Sequence, residues 1–155
     1  MEDSKKLFKI ILILVIILLV YIGGCFGYKQ AKFAPYEKSA ENFKKNYQNE
    51  AFRKENPNTM VDVSRSGDPF TPRGTLTVVK DRVQLNIHPG LFGGFTTDVT
   101  LTDKFGGATV AQFSVDEKGE LIGSDYRTEY NSYRDEIMEA LKLANETFGD
   151  IYQLP

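Results

Sequence analysis

Tryptophan is absent from this chain, and cysteine and histidine occur once each, as Cys25 and His88. A lone cysteine excludes an intrachain disulfide, so the fold must hold by its core. The same two counts exclude a zinc site built from several His and Cys ligands. The acids do not fall at EF-hand spacing, and no G-x-S-x-G marks a nucleophile elbow. Neither a G-x-G-x-x-G nor a P-loop occurs. A strong excess of one charge is missing too: the net charge is −2, which gives no basis for a nucleic-acid partner. The sequence therefore implies no cofactor, no metal and no recognisable catalytic set, and an enzyme is not expected.

What is present begins with an apolar run. Ile10 to Tyr28 is nineteen residues without a charge, rich in Ile, Leu and Val. As a helix it reaches about 28 Å, close to the ~30 Å hydrocarbon core of a bilayer. Tyr21, Phe26 and Tyr28 sit where interfacial aromatics are favoured. Lys5, Lys6 and Lys9 precede the run, and Lys29 and Lys32 follow it. The stretch predicts a single membrane span over residues 10–28.

It also reads as a secretory signal. Lys5 and Lys6 form a charged leader, and Ile10 to Ile22 supplies a 13-residue apolar segment, as a signal peptide requires. Ile22-Gly23-Gly24-Cys25 then follows. These four residues resemble the bacterial lipobox, a branched apolar residue, two small residues and the acylated cysteine. The resemblance implies removal of residues 1–24 and lipid attachment at Cys25. Against it stand the acidic Glu2 and Asp3 and the aromatic Phe26-Gly27-Tyr28 after the cysteine, where a tether is usually polar. The leading expectation is an uncleaved anchor, with the lipoprotein second and a plain cleaved signal third.

Orientation rests on two opposed signals. Lys29, Lys32, Lys38, Lys44 and Lys45 outnumber the three lysines before the run, which by the positive-inside count alone favours a cytoplasmic C-terminus. The short charged leader before an apolar run is signal-like and is given precedence. Residues 1–28 are thus read as a cytoplasmic tip and anchor, and 29–155 as one extracytoplasmic domain, with a bacterial envelope as its setting. From Lys29 to Arg82 eleven Lys/Arg face seven Asp/Glu, and from Val83 to Pro155 five face twelve. The half nearer the anchor is basic, which suits anionic headgroups or simply a solvated surface.

Beyond the anchor, Pro35 suits a first helical turn, so a helix is expected from there to just before Asn56-Pro57-Asn58. Tyr36, Ala40, Phe43, Tyr47 and Ala51 recur along it at helical spacing. This stripe packs on a sheet or, alternatively, forms a seam between two copies, which makes a homo-oligomer a possible state. From Met60 the period changes to two. Met60–Val63, residues 75–78, 83–88, 95–102, 111–115 and 120–122 alternate apolar with polar, around a loop over residues 64–74. Such alternation predicts an antiparallel sheet of five or six strands with one face covered and one wet. A last helix is expected from Ser132 to Phe148, with Ser132 and Asp135 as its capping box and Gly149 as its stop. The fold class is α+β.

Few residues offer chemistry. His88, on the polar side of its strand before a turn, could serve a hydrolase as base if an acid shared its pocket; otherwise it is a polar strand end. The acids Asp116, Glu117, Glu120, Asp125, Glu129, Asp135, Glu136 and Glu139 read as a solvated surface. Asn145-Glu146-Thr147 is a glycosylation sequon inside a predicted helix. Phe-Gly-Gly occurs twice, in Leu91-Phe92-Gly93-Gly94 and Lys104-Phe105-Gly106-Gly107. As hairpin loops flanking the strand Phe95 to Thr102, they lie about 27 Å apart and cannot form one site. Their glycines supply positive-φ turns. Their phenylalanines either fold over the sheet edge or stand out as a partner-touching tip, for which Leu91 and Phe92 are the candidates.

Together these features predict a membrane-tethered module that binds a protein or an envelope polymer. The alternatives are a structural subunit that oligomerises through helix 35–55 and a lipoprotein acylated at Cys25.

Overall fold

The computed structural model describes residues 2–68 and 70–154; Met1, Pro69 and Pro155 lie outside them. Three segments carry the architecture: a long N-terminal helix, a six-stranded meander, and two short helices before the C-terminal tail. Helix α1 spans Glu2–Asn46 and α2 spans Glu50–Glu55. The strands are β1 (Thr59–Arg65), β2 (Gly74–Lys80), β3 (Val83–Pro89), β4 (Phe95–Thr102), β5 (Thr109–Val115) and β6 (Leu121–Ile122). Helices α3 (Arg127–Ser132) and α4 (Arg134–Phe148) follow. The strands pair in sequence order, every pair antiparallel. This is the α+β class expected from the alternation.

The alternation sorts the two faces. Leu76, Val78, Val83, Leu85, Ile87, Val99 and Leu101 point to one side and are almost wholly buried. Helix α4 lies across β2 and β3, and α1 covers β1 and packs on α4. Each large apolar side chain buried here contributes about 1.5–3 kcal/mol. The stripe on α1 faces this core: Ala40 and Phe43 are buried, and Tyr36 meets Phe148 edge-on at 6.0 Å.

The helix does not start at Pro35. It runs unbroken through that residue, although proline removes one helical hydrogen bond. Contacts on both sides hold it straight through. Lys29 and Phe33 are buried before the proline, and Glu37 pairs with Arg65 after it. At Gly74 a Cβ would sit 2.7 Å from the Phe33 ring, so glycine lets α1 press onto the start of β2. The helix also ends sooner than expected, at Asn46. Asn49 then caps α2, its Oδ1 accepting the Ala51 and Phe52 amides at 2.9 and 3.4 Å.

A second correction concerns the last helix. Ser132 closes α3, and α4 begins at Arg134 behind Tyr133 without a side-chain cap. The expected Ser132–Asp135 box is not formed, because the backbone of Ser132 is already helical. Gly149 stops α4 as expected, at φ 90°. The sequon residue Asn145 clasps the tail. Its Oδ1 accepts the Ile151 and Tyr152 amides at 3.0 and 2.9 Å, and its Nδ2 donates to the Tyr152 carbonyl at 2.9 Å.

Candidate functional site

The uncovered face of the sheet carries the polar half of every alternation. Register sets side chains from successive strands beside one another: Thr77, Asn86, Asp98 and Ser114 form one row. Ser64, Thr75, His88 and Thr96 form the next. All of these except Thr96, together with Thr100 and Gln112, line an open groove of about 550 Å³. The side chains are bonded to one another. Ser114 Oγ donates to Asp98 Oδ1 at 2.8 Å, and Asp98 Oδ2 lies 3.4 Å from His88 Nε2. His88 Nδ1 lies 3.1 Å from Thr75 Oγ1. Gln84 Nε2 donates to Asn86 Oδ1 at 3.1 Å, and Gln112 Nε2 to Thr100 Oγ1 at 3.2 Å.

Thr75, His88 and Asp98 thus stand in the order hydroxyl, imidazole, carboxylate, the order of an acid–base relay. Acyl transfer also needs amides free to hold an oxyanion. Strand β2 is flanked by strands on both sides, so the amides beside Thr75 belong to the ladder. The face instead presents donors and acceptors across several strands, each held by its neighbours. Among the described residues no three His, Cys, Asp or Glu gather as a metal site.

The sequence placed His88 on this face but not its partner. Asp98 was legible only as a polar residue in an alternating strand. Its approach to His88 comes from the register of β3 on β4, which sets His88 opposite Thr96.

Cys25, Leu91 and Phe92, singled out separately, come together. Cys25 lies within α1, and with Tyr21, Tyr28, Pro72, Leu91 and Phe92 it lines an apolar cleft of about 410 Å³. The β3–β4 turn is fastened to α1 by Tyr28 and Lys32, which donate to the carbonyls of Leu91 and Gly90. The β1–β2 loop is fastened by Lys29, which donates to the carbonyls of Ser66 and Asp68. Within that loop the Phe70 amide and Thr71 hydroxyl donate to Asp68 and hold its carboxyl below the usual carboxylate range. Phe92 does not fold over the sheet edge: it is 98% exposed. Phe105, in the opposite turn, is half-exposed, so the two Phe-Gly-Gly segments do sit at opposite ends of β4.

Comparison with protein-family models finds no family that matches the chain, and comparison with curated proteins and with solved structures finds no match either.

Proposed function

We propose that this protein is a membrane-tethered extracytoplasmic binding module that engages a protein or envelope polymer through the polar face of its sheet. The tether is α1. It is long and apolar enough to cross a membrane, and its side chains from Leu7 to Val20 are exposed. A bare apolar helix of this length needs lipid around it. The single observation that carries the binding half is the uncovered face, polar across β2 to β5 and pre-ordered by its own hydrogen bonds. Both α1 and α4 are spent on the other face, which supports reading this one as the partner's side. The aromatic stripe of α1 is likewise spent inside the core, which leaves the oligomeric reading without its seam.

The test is co-sedimentation of the full chain, in detergent, with isolated cell-wall and membrane-protein fractions of a bacterial envelope. Asn86→Ala with Asp98→Ala should abolish sedimentation, and Glu139→Ala, on α4, should leave it intact. Equal sedimentation of both variants would count against the polar face.

A further inference from the structure

The domain does not begin where the apolar run ends. Tyr21, Cys25, Tyr28, Lys29 and Lys32 recur at helical spacing along α1, and this one stripe faces the β1–β2 and β3–β4 loops. Its first member lies seven residues before Tyr28, so the loops reach about 10 Å back along the apolar run. If α1 crosses a bilayer, a premise taken from the function proposed above, those loops lie at the depth of its last two turns.

Their chemistry suits that depth. Residues 90–94 of the β3–β4 turn hold no charge, and Leu91 and Phe92 stand out from it. Phe70 stands out from the other loop. Backbone carbonyls are costly near hydrocarbon unless bonded, and those of Ser66, Asp68, Gly90 and Leu91 are bonded by side chains of α1. The carboxylate of Asp68 is turned back onto its own loop. Arg73, exposed at the end of that loop, carries the charge that anionic headgroups attract. A water-facing hairpin would gain nothing from a bare Leu-Phe tip with its polar groups satisfied internally.

We propose that the tips of these two loops are seated in the headgroup–acyl boundary of the bilayer that α1 crosses, through Phe70, Leu91 and Phe92. The apolar cleft around Cys25 is then filled by acyl chain of the surrounding lipid. The domain is held against the membrane at two places, by α1 and by the loops, and does not swing on a flexible stalk. Because His88 lines both the polar groove and a second cleft leading to Phe70 and Leu91, the groove opens at its near end beside the lipid surface.

The chain has no tryptophan, so single introduced tryptophans report depth without background. Phe92→Trp, Phe105→Trp and Leu18→Trp are each reconstituted as full chains in vesicles of phosphatidylcholine and phosphatidylglycerol. Emission is compared with and without lipids brominated on the acyl chain, near the headgroup for positions 92 and 105 and near the chain end for position 18. The expected result is quenching and a blue shift at positions 92 and 18, with position 105 unquenched. Phe105→Trp is an equally aromatic turn at the other end of the sheet, so it controls for the affinity of tryptophan for interfaces. Quenching at 18 but water-like emission at 92 overturns the loop contact and leaves the span standing. Quenching at 92 and 105 alike also overturns it, as contact without the stated geometry. No quenching at 18 overturns the span itself, and with it the contact, whatever position 92 reports.

Discussion

Lys29 Nζ donates to the carbonyl of Asp68 at 3.2 Å, and the whole residue is only 7% exposed. A lysine buried this far is rare unless paired, and here it is paired with backbone: it also donates to the Ser66 carbonyl. The residue at the end of the apolar run therefore fixes the β1–β2 loop to the helix. Lys29→Met should leave both carbonyls without a partner and cost about 2 kcal/mol. Denaturant unfolding in micelles reads the loss, and faster amide exchange confined to residues 66–73 would assign it to the loop. Unchanged exchange there would show that Lys29 fastens nothing.

Gly74→Ala should destabilise by a similar route. The added Cβ meets the Phe33 ring and the Ser64 carbonyl, each at 2.7 Å. Phe33 is fully buried on the side of α1 that faces the sheet, so the ring cannot swing clear without opening the core. Overpacking of this kind costs about 1–3 kcal/mol. Gly74→Ala combined with Phe33→Leu should recover part of the loss, since the smaller side chain relieves the contact with the ring. Identical melting of Gly74→Ala and wild type would mean that α1 does not press on β2 as described.

These two sites also mark what could be read from sequence and what could not. The sheet was legible because Leu76, Leu85, Ile87 and Val99 fall at strict period two, and burial follows that period directly. The continuity of α1 was not. Pro35 is a local stop signal, and what overrides it is the set of contacts from Phe33, Tyr36 and Glu37 to strands and helix far along the chain. The Ser132–Asp135 pattern failed for the opposite reason, because a short preceding helix had already taken Ser132. At the candidate site, His88 was visible as a polar strand residue. Its pairing with Asp98 depends on register, and the meeting of Cys25 with Phe92 depends on a helix that continues past a proline. Neither leaves a trace in local pattern.

The C-terminal tail gives a pH prediction. Tyr152 is buried with its hydroxyl 2.6 Å from Thr97 Oγ1, and burial pushes its phenol well above the ordinary value of 10.0. A raised folded-state pKa means the contribution is whole below pH 10 and is lost as pH rises beyond it, when the unfolded chain releases the proton first. Stability should therefore fall above pH 10, and Tyr152→Phe should flatten that fall. At neutral pH the same variant leaves the buried Thr97 hydroxyl unpaired and costs about 1 kcal/mol. Parallel melting curves at pH 8 and pH 11 check both halves.

The polar groove should behave in the opposite way. The side chains of His88 and Asp98 are 41% and 57% exposed, and solvent replaces what either loses. Asp98→Asn and His88→Ala should each shift stability by less than about 0.5 kcal/mol while weakening capture of envelope material. A loss of several kcal/mol in either would make the row a structural feature of the sheet, and the uncovered face would need another explanation.

The last prediction decides how the chain is anchored. Intact mass from the native membrane fraction should include residues 1–24, and Cys25→Ser should differ from wild type by the side-chain change alone. Two observations support that outcome. Cys25 lies inside a continuous helix, where the bond before it is part of a hydrogen-bonded ladder and is not an extended segment open to a peptidase. Tyr21, four residues ahead of it, already belongs to the stripe that faces the loops, its hydroxyl 3.5 Å from the Phe70 carbonyl. Cleavage after Gly24 would remove Tyr21 from that stripe, and with it the contact to the Phe70 carbonyl. An acyl mass on wild type that Cys25→Ser lacks would reverse this: the chain would begin at the lipid-bearing cysteine, and the cleft between Tyr28, Leu91 and Phe92 would hold that lipid in place of its neighbours in the bilayer.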